Sequence, residues 1–349
     1  MTWGGIGEIF NPGQRHMDEE LASKRVEAQV PGDEGRPNRV DLDAGIVRIT
    51  RPAESGGHRA APGNNEPDWS QIVPPGLDLA VLAGRLVTVD GVVGVVLGGS
   101  RARGAHHEGS DVDLGLYYRG DLDVAALAAI ARDVGGPEAE ITRPGEWGPW
   151  VDGGGWLVVD GVHVDWLYRD VERVQEAWTR AHRGTYDWNA QAGHPLGVPD
   201  FAYVGELALA VVLADPEGEL AGMREAFVYP AALATALVQN LWEADFLVTL
   251  AGKATSRGDA AYVALCLGRA LLLCAHALHG HDRRWLVNEK GAIATAGELP
   301  SAPEGFARRA QEVLGGLGTG PLDLDDSVAR ARRVVEDVAR TCGEDGDRP

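Results

Sequence analysis

Apolar positions fall into two regimes along this chain. Between residues 77 and 168 short strand-like and helix-like runs alternate; beyond residue 200 the spacing is almost wholly helical. Leu79, Leu82 and Leu86 recur at helical intervals and Asp78 can cap them, so the pattern predicts a helix over 77–89. Val92 to Leu97 is a continuous apolar run that ends at Gly98-Gly99-Ser100 and reads as a strand. Val112 to Tyr118 alternates and predicts a second strand. Helical spacing returns over 122–134, and 139–142 reads as a short strand. Two alternating runs, 156–160 and 162–168, flank Asp160-Gly161, a good hairpin signal. Residues 170–182 read as a helix leaving the sheet.

Later residues predict helices over 201–214, stopped at Asp215-Pro216, and over 230–252 with Pro at its start. Further helices follow over 259–279, 306–314 and 326–341. The fold class expected is therefore an α/β (α+β) domain with a small mixed sheet, followed by an all-α helical bundle. The expected boundaries are an N-terminal extension and linker over 1–70, a sheet domain over 71–183, a helical domain over 184–343 and a tail over 344–349. Within the extension, 18–27 suggests a charged helix, 40–49 alternates weakly, and 52–67 has the Gly, Pro, Asn and Ser content of a linker.

Strand geometry turns two of these elements into candidate chemistry. Alternate residues of a strand face the same way, so Asp111 and Asp113 can present two carboxylates on one face while Val112 and Leu114 face the core. Carboxylates that close repel unless a cation sits between them, and hard divalent cations prefer oxygen ligands. The preceding glycines let backbone N–H groups approach phosphate oxygens, and Ser100 adds a hydroxyl. On the hairpin's returning strand His163, Asp165 and Leu167 share one face, with Val164, Trp166 and Tyr168 on the other.

The stretch Leu97-Gly98-Gly99-Ser100, a ten-residue spacer, and Asp111-Val112-Asp113-Leu114 resembles the nucleotidyltransferase superfamily of the DNA polymerase β type. Arg103-Gly104 and Gly109-Ser110 in the spacer are typical of its smaller members, and the all-α partner resembles that of small nucleotidyltransferases acting on antibiotics. Looser similarities extend to 210–220 and 285–290. The resemblance implies transfer of a nucleoside monophosphate from an NTP, expected to be ATP, to an acceptor hydroxyl with release of pyrophosphate. It also implies two Mg²⁺ ions held by Asp111, Asp113 and a third carboxylate, for which Asp165 is the candidate ligand or general base. Gly99 and Ser100 would grip phosphates. Arg101, Arg103 and Lys290 are candidate phosphate contacts. Minimal relatives act as antitoxins that bind or nucleotidylate a partner protein, which is the rival expectation.

Charge narrows the acceptor. The 349 residues carry a formal net charge of −20 and no long Lys/Arg cluster, which argues against nucleic acid. A cationic small molecule such as an aminoglycoside fits better, with a protein partner or homodimer as the other expectation. No run of eighteen apolar residues predicts a membrane span, no basic-then-apolar signal opens the chain, and three cysteines suit a reducing cytoplasm.

Other residues carry weaker signals. Trp147, Trp150 and Trp156 lie in a Gly-rich stretch where an indole could stack on a base or sugar, though packing is expected for at least two. His106, His107 and His163 read as surface or structural residues. Glu206, Glu243 and Asp245 sit on helices whose cleft-facing side the pattern does not fix. Arg269 and His276 have a spacing similar to that of HEPN ribonucleases, but the apolar residues between them predict a structural Arg and a buried His.

Overall fold

In the computed structural model the described residues are 39–41, 46–48 and 77–344, with 105, 107, 108 and 149 left out. Two compact units divide the chain, Met1–Asn65 and Glu66–Pro349. In the first, strand β1 (Arg39–Asp41) pairs antiparallel with β2 (Ile46–Arg48). The expected helix over 18–27 and the linker over 52–67 lie outside the described residues.

The second unit opens with helix α1 (Leu79–Leu86), where the Asp78 carboxylate accepts from the Val81 N–H at 3.0 Å. Strand β3 (Val92–Leu97), the short helix α2 (Gly99–Ala102), β4 (Val112–Tyr118) and α3 (Val124–Gly135) follow. Then come β5 (Gly154–Val159) and β6 (Val162–Asp170), joined at Asp160 and Gly161. Both turn residues have positive φ, 51° and 81°, the backbone that lets a two-residue turn match strand twist. A five-stranded sheet results, in the order β5-β6-β4-β3-β9. Its β4–β6 pair is parallel and its other pairs are antiparallel.

Period-2 alternation gives the sheet two different faces. One carries Val95, Leu97, Leu114, Leu116, Val164 and Trp166, which bury against Leu79, Leu82 and Leu86 of α1 and Leu127 of α3. The other carries Val96 and Tyr117, packed against α4 (Val171–His182) and α5 (Ala202–Leu209). Asp113, Asp165 and Arg169 belong to this second face, so the helices that cover it also wall the site.

The remaining elements are the hairpin β7 (Trp188–Gln191) and β8 (His194–Pro199), strand β9 (Val211–Ala214), and helices α6 (Glu219–Ala226), α7 (Ala231–Gln239) and α8 (Leu241–Gly252). Helices α9 (Ala260–His281), α10 (Ala292–Gly297), α11 (Phe306–Gly315) and α12 (Pro321–Glu344) complete the unit. Among the described residues α9 alone is long and apolar enough to cross a membrane. Here it is the bundle's central helix: Val263, Leu267, Leu271 and Leu278 are buried in one core with Val248, Val328, Val335 and Val338. Cys266, Cys274 and Cys342 are buried.

Three sequence expectations change, and one hairpin is new. Residues 139–142 are not a strand: the Thr142 N–H donates to the Gly154 carbonyl at 2.7 Å, and the Thr142 hydroxyl accepts from the Gly154 N–H, without a ladder. The helix expected over 201–214 ends at Ala210, whose ψ is 162°. Beyond it Val211 and Val212 pair with Leu97 and Val96 of β3, because branched side chains are more useful at an open sheet edge than on a helix. The helix expected over 230–252 divides at Asn240 into α7 and α8. Hairpin β7–β8 was not legible, since its turn and apolar pattern are weak.

Candidate active site

Register builds the site. Asp113 of β4 lies directly opposite Asp165 of β6 in the parallel pair. Buried Val112 and Leu114 on one strand and Val164 and Trp166 on the other fix this facing, because a one-residue slip would put four core side chains into the cleft. Asp111 precedes β4 and is exposed.

The turn after β3 closes onto the same carboxylate. The Gly98 N–H donates to the Asp113 carbonyl at 2.8 Å. Gly99 has φ +62°, and a Cβ there would lie 1.7 Å from Asp113 Oδ2. Only glycine therefore lets the turn stand against this carboxyl. Ser100 is half-buried on the same turn.

Charge on this face is unevenly compensated. Burial pushes the Asp165 carboxyl up to about 6, aided by the nearby Asp113 and Asp111 charges and opposed by His163. Burial likewise raises Asp113, with Asp111 and Glu206 adding repulsion while Arg103 and Lys290 counter it. Arg103 and Lys290 thus both lower the charge cost at Asp113. Arg101 does something else. It is buried, and its Nε and Nη2 donate to the Ser110 and Asp111 carbonyls at 2.6–3.2 Å. This corrects the expectation that Arg101 contacts phosphate: its guanidinium braces the spacer that delivers Asp111.

A cavity of about 200 Å³ lies beside these groups. Gly98, Gly99, Arg103 and Asp113 line it together with Tyr203, Glu206, His194 and Asn288. Glu206, undecidable from sequence, faces this cavity and receives a bidentate pair from Arg169, at 2.6 Å and 3.0 Å. Arg169 is 5% exposed, and although burial disfavours its charge, Glu206 more than restores it. Alternation from Asp165 through Leu167 to Arg169 puts all three on one face, so Arg169 was findable by counting in twos. Glu206 needed the packing of α5.

The other candidates separate. Glu243 pairs with Arg269 at 2.6 Å and Asp245 with Arg332 at 3.2 Å, both in the bundle. His276 is buried between Trp188 and Phe201 with its pKa lowered to about 3, so the Arg269–His276 pair is structural. Trp150 stacks on Tyr203 at 5.2 Å, whose hydroxyl donates to the Trp150 carbonyl. Trp147 stacks on Trp156 at 4.3 Å. Trp147 also borders an open groove of about 670 Å³ that shares His194 with the cavity. Among the described residues, no three His, Cys, Asp or Glu side chains stand close enough to hold a metal ion as they are.

Comparison with known proteins bears on the same segment. Residues 81–140 match the family described as nucleotidyltransferase domain, a span that contains Gly99, Asp111 and Asp113 and stops before Asp165. Residues 9–49 match a Family of unknown function (DUF6191). No curated protein matches the chain. A nucleotidyltransferase-like protein from Exiguobacterium sibiricum 255-15 is similar in structure at 11% identity and a TM-score of 0.38, over 76% of this chain and 75% of that one. The glycine turn, the Asp-Val-Asp strand and the helices around them make residues 81–140 a domain of the nucleotidyltransferase superfamily.

Proposed function

We propose that the protein transfers AMP from ATP to a hydroxyl of a small acceptor, releasing pyrophosphate. The observation that carries this is the row formed by Gly99, Asp113 and Asp165: a glycine whose missing side chain leaves the Asp113 carboxyl uncovered, and a second carboxyl abreast of it. Nucleotidyl transfer is the family's general reaction.

These residues fit a hard divalent cation, expected to be Mg²⁺. Asp113 and Asp165 are both pushed up by burial and by neighbouring carboxylates, which is the state a cation between them relieves. Asp113 and Asp165 would hold it, with Asp111 beside them. Such an ion neutralises triphosphate charge and lowers the pKa of a nearby hydroxyl.

The chain's own groups do the rest. The backbone around Gly98 and Gly99 offers room for phosphate oxygens next to Asp113, and Arg103 and Lys290 supply positive charge. An acceptor oxygen attacks the α-phosphorus. A new P–O bond forms as the bond to the bridging oxygen breaks, and pyrophosphate leaves with that electron pair. The acceptor's proton passes to Asp165, the half-buried carboxylate directly opposite Asp113. Glu206 is held away from that task by Arg169 and sets the charge of the cavity wall.

The test is incubation of the full chain with labelled ATP, Mg²⁺ and a panel of hydroxylated acceptors, analysed for adenylylated product by mass. Asp111→Asn with Asp113→Asn should abolish Mg²⁺-dependent nucleotide binding and turnover. Undiminished nucleotide affinity in that double variant would sink the assignment. Labelling of a co-purified protein in place of the panel would transfer the activity to a protein acceptor.

A further inference from the structure

Trp156 stands directly across β5–β6 from Asp165, as Asp165 stands directly across β6–β4 from Asp113. Three adjacent strands thus carry an indole and two carboxylates in one row on one face, and directly opposed residues bring their Cβ atoms to about 5 Å. Gly98, bonded to the Asp113 backbone, closes the far end of the row.

The indole is unusual for a residue beside buried charges. Trp156 is 69% exposed. One of its faces is taken by Trp147, with the rings 16° from parallel. Leaving so large an apolar group in water forgoes stabilisation that burial would give. Yet the pair is held in place by two separate elements. The Trp147 carbonyl accepts from Gln191 Nε2 of β7 at 2.8 Å. Gly154 of β5 lets the Trp147 ring come near, since a Cβ there would lie 3.2 Å from it and 1.8 Å from the Trp166 carbonyl oxygen. A preformed, exposed aromatic surface suits a ring-shaped ligand.

Direction follows from the reaction. In-line displacement puts the attacking oxygen opposite the leaving one. With the leaving pyrophosphate at the Gly98–Gly99 end, the nucleophile approaches from the β5 side, past Asp165, where Trp156 lies. We propose that the Trp147–Trp156 stack is the floor of the acceptor subsite, and that the acceptor is a hydroxylated ring of the sugar or cyclitol class. Its C–H face rests on the Trp156 indole and a hydroxyl reaches toward Asp165. The open groove bordered by Trp147 gives room for the rest of the molecule. This inference rests on the nucleotidyl-transfer reading for its direction.

The experiment compares the full-length protein with Trp156→Ala and Trp156→Phe. Titration calorimetry measures Mg·ATP and three ring probes separately: kanamycin, lincomycin and maltose. Trp156→Ala should weaken a ring probe roughly tenfold, the scale of one stacked ring, and leave Mg·ATP affinity within about twofold. Trp156→Phe should recover most of the loss, because it restores an aromatic face. Circular dichroism confirms that each variant folds, as expected for so exposed a side chain. Unchanged ring-probe affinity in Trp156→Ala overturns the proposal, as does a wild type that binds none of the three probes. A loss confined to Mg·ATP overturns it too and gives the stack to the nucleobase. Failure of the transfer reading is distinct: wild type would then bind no Mg·ATP, and the ring-probe arm would judge the indole platform on its own.

Discussion

Replacing Asp165 by Asn should stabilise the metal-free protein. Asp165 sits opposite Asp113 with Asp111 nearby, and burial with this repulsion moves its carboxyl from the usual 3.8 to about 6. An acid whose folded pKa is raised binds its proton more tightly when folded. Stability therefore falls as pH rises from about 4 to about 6, and the full cost persists above that window. A shift of about 2 units corresponds to about 3 kcal/mol. Asp165 is only half-buried, so solvent screening reduces this to about 1 kcal/mol. For a unit of this size that is about 2 °C in Tm. Asn keeps the shape and removes the charge. Thermal melts in chelator at pH 7.5 should show the variant above wild type, with the gap closing by pH 4. Added Mg²⁺ should raise the wild-type Tm and leave the variant nearly unmoved, reversing their order. A variant less stable than wild type at pH 7.5 in chelator, or a difference that ignores pH, refutes the reasoning that these carboxylates repel one another across the strands.

Other perturbations follow from the same geometry. Gly99→Ala should remove nucleotide binding in an equilibrium assay and destabilise by about 2 kcal/mol, since its Cβ would strike the Asp113 carboxyl, whereas Gly104→Ala, also at positive φ but with nothing within 4 Å, should cost about 1 kcal/mol and keep binding. Arg169→Met should lower stability by roughly 3 kcal/mol in urea melts because it leaves Glu206 unpaired at the cavity, and Arg169→Met with Glu206→Leu should recover part of that. Arg101→Ala should weaken Mg·ATP binding without any phosphate contact being lost, because it frees the Ser110 and Asp111 carbonyls; unaltered affinity would remove Arg101 from the site's support. His276→Leu should leave nucleotidyl transfer intact, as measured by product mass, and no ribonuclease activity should be there to lose.

What the sequence by itself determined was strand facing and the local turn and cap signals. Alternation placed Asp113 and Asp165 on strand faces opposite Val112, Leu114, Val164 and Trp166, because a strand's period of two leaves a residue only two directions. Asp160-Gly161 fixed its hairpin because both positions need positive φ. Asp78 and Asp259 marked helix starts, where each carboxylate meets a free N–H. Tertiary structure decided what depends on neighbours distant in sequence. Residues 211–214 left their helix because β3 presented an unpaired edge, an opportunity that no local window contains. Arg101 and Arg103 have the same charge and lie two apart, yet Arg101 folds back under the spacer while Arg103 acts on Asp113. Glu206 entered the site through the packing of α5, and Trp156 entered it through the β5–β6 register, which aligned an exposed indole with the carboxylates. Periodicity sets which way a side chain points along its own element; only the packing of elements sets what it meets there.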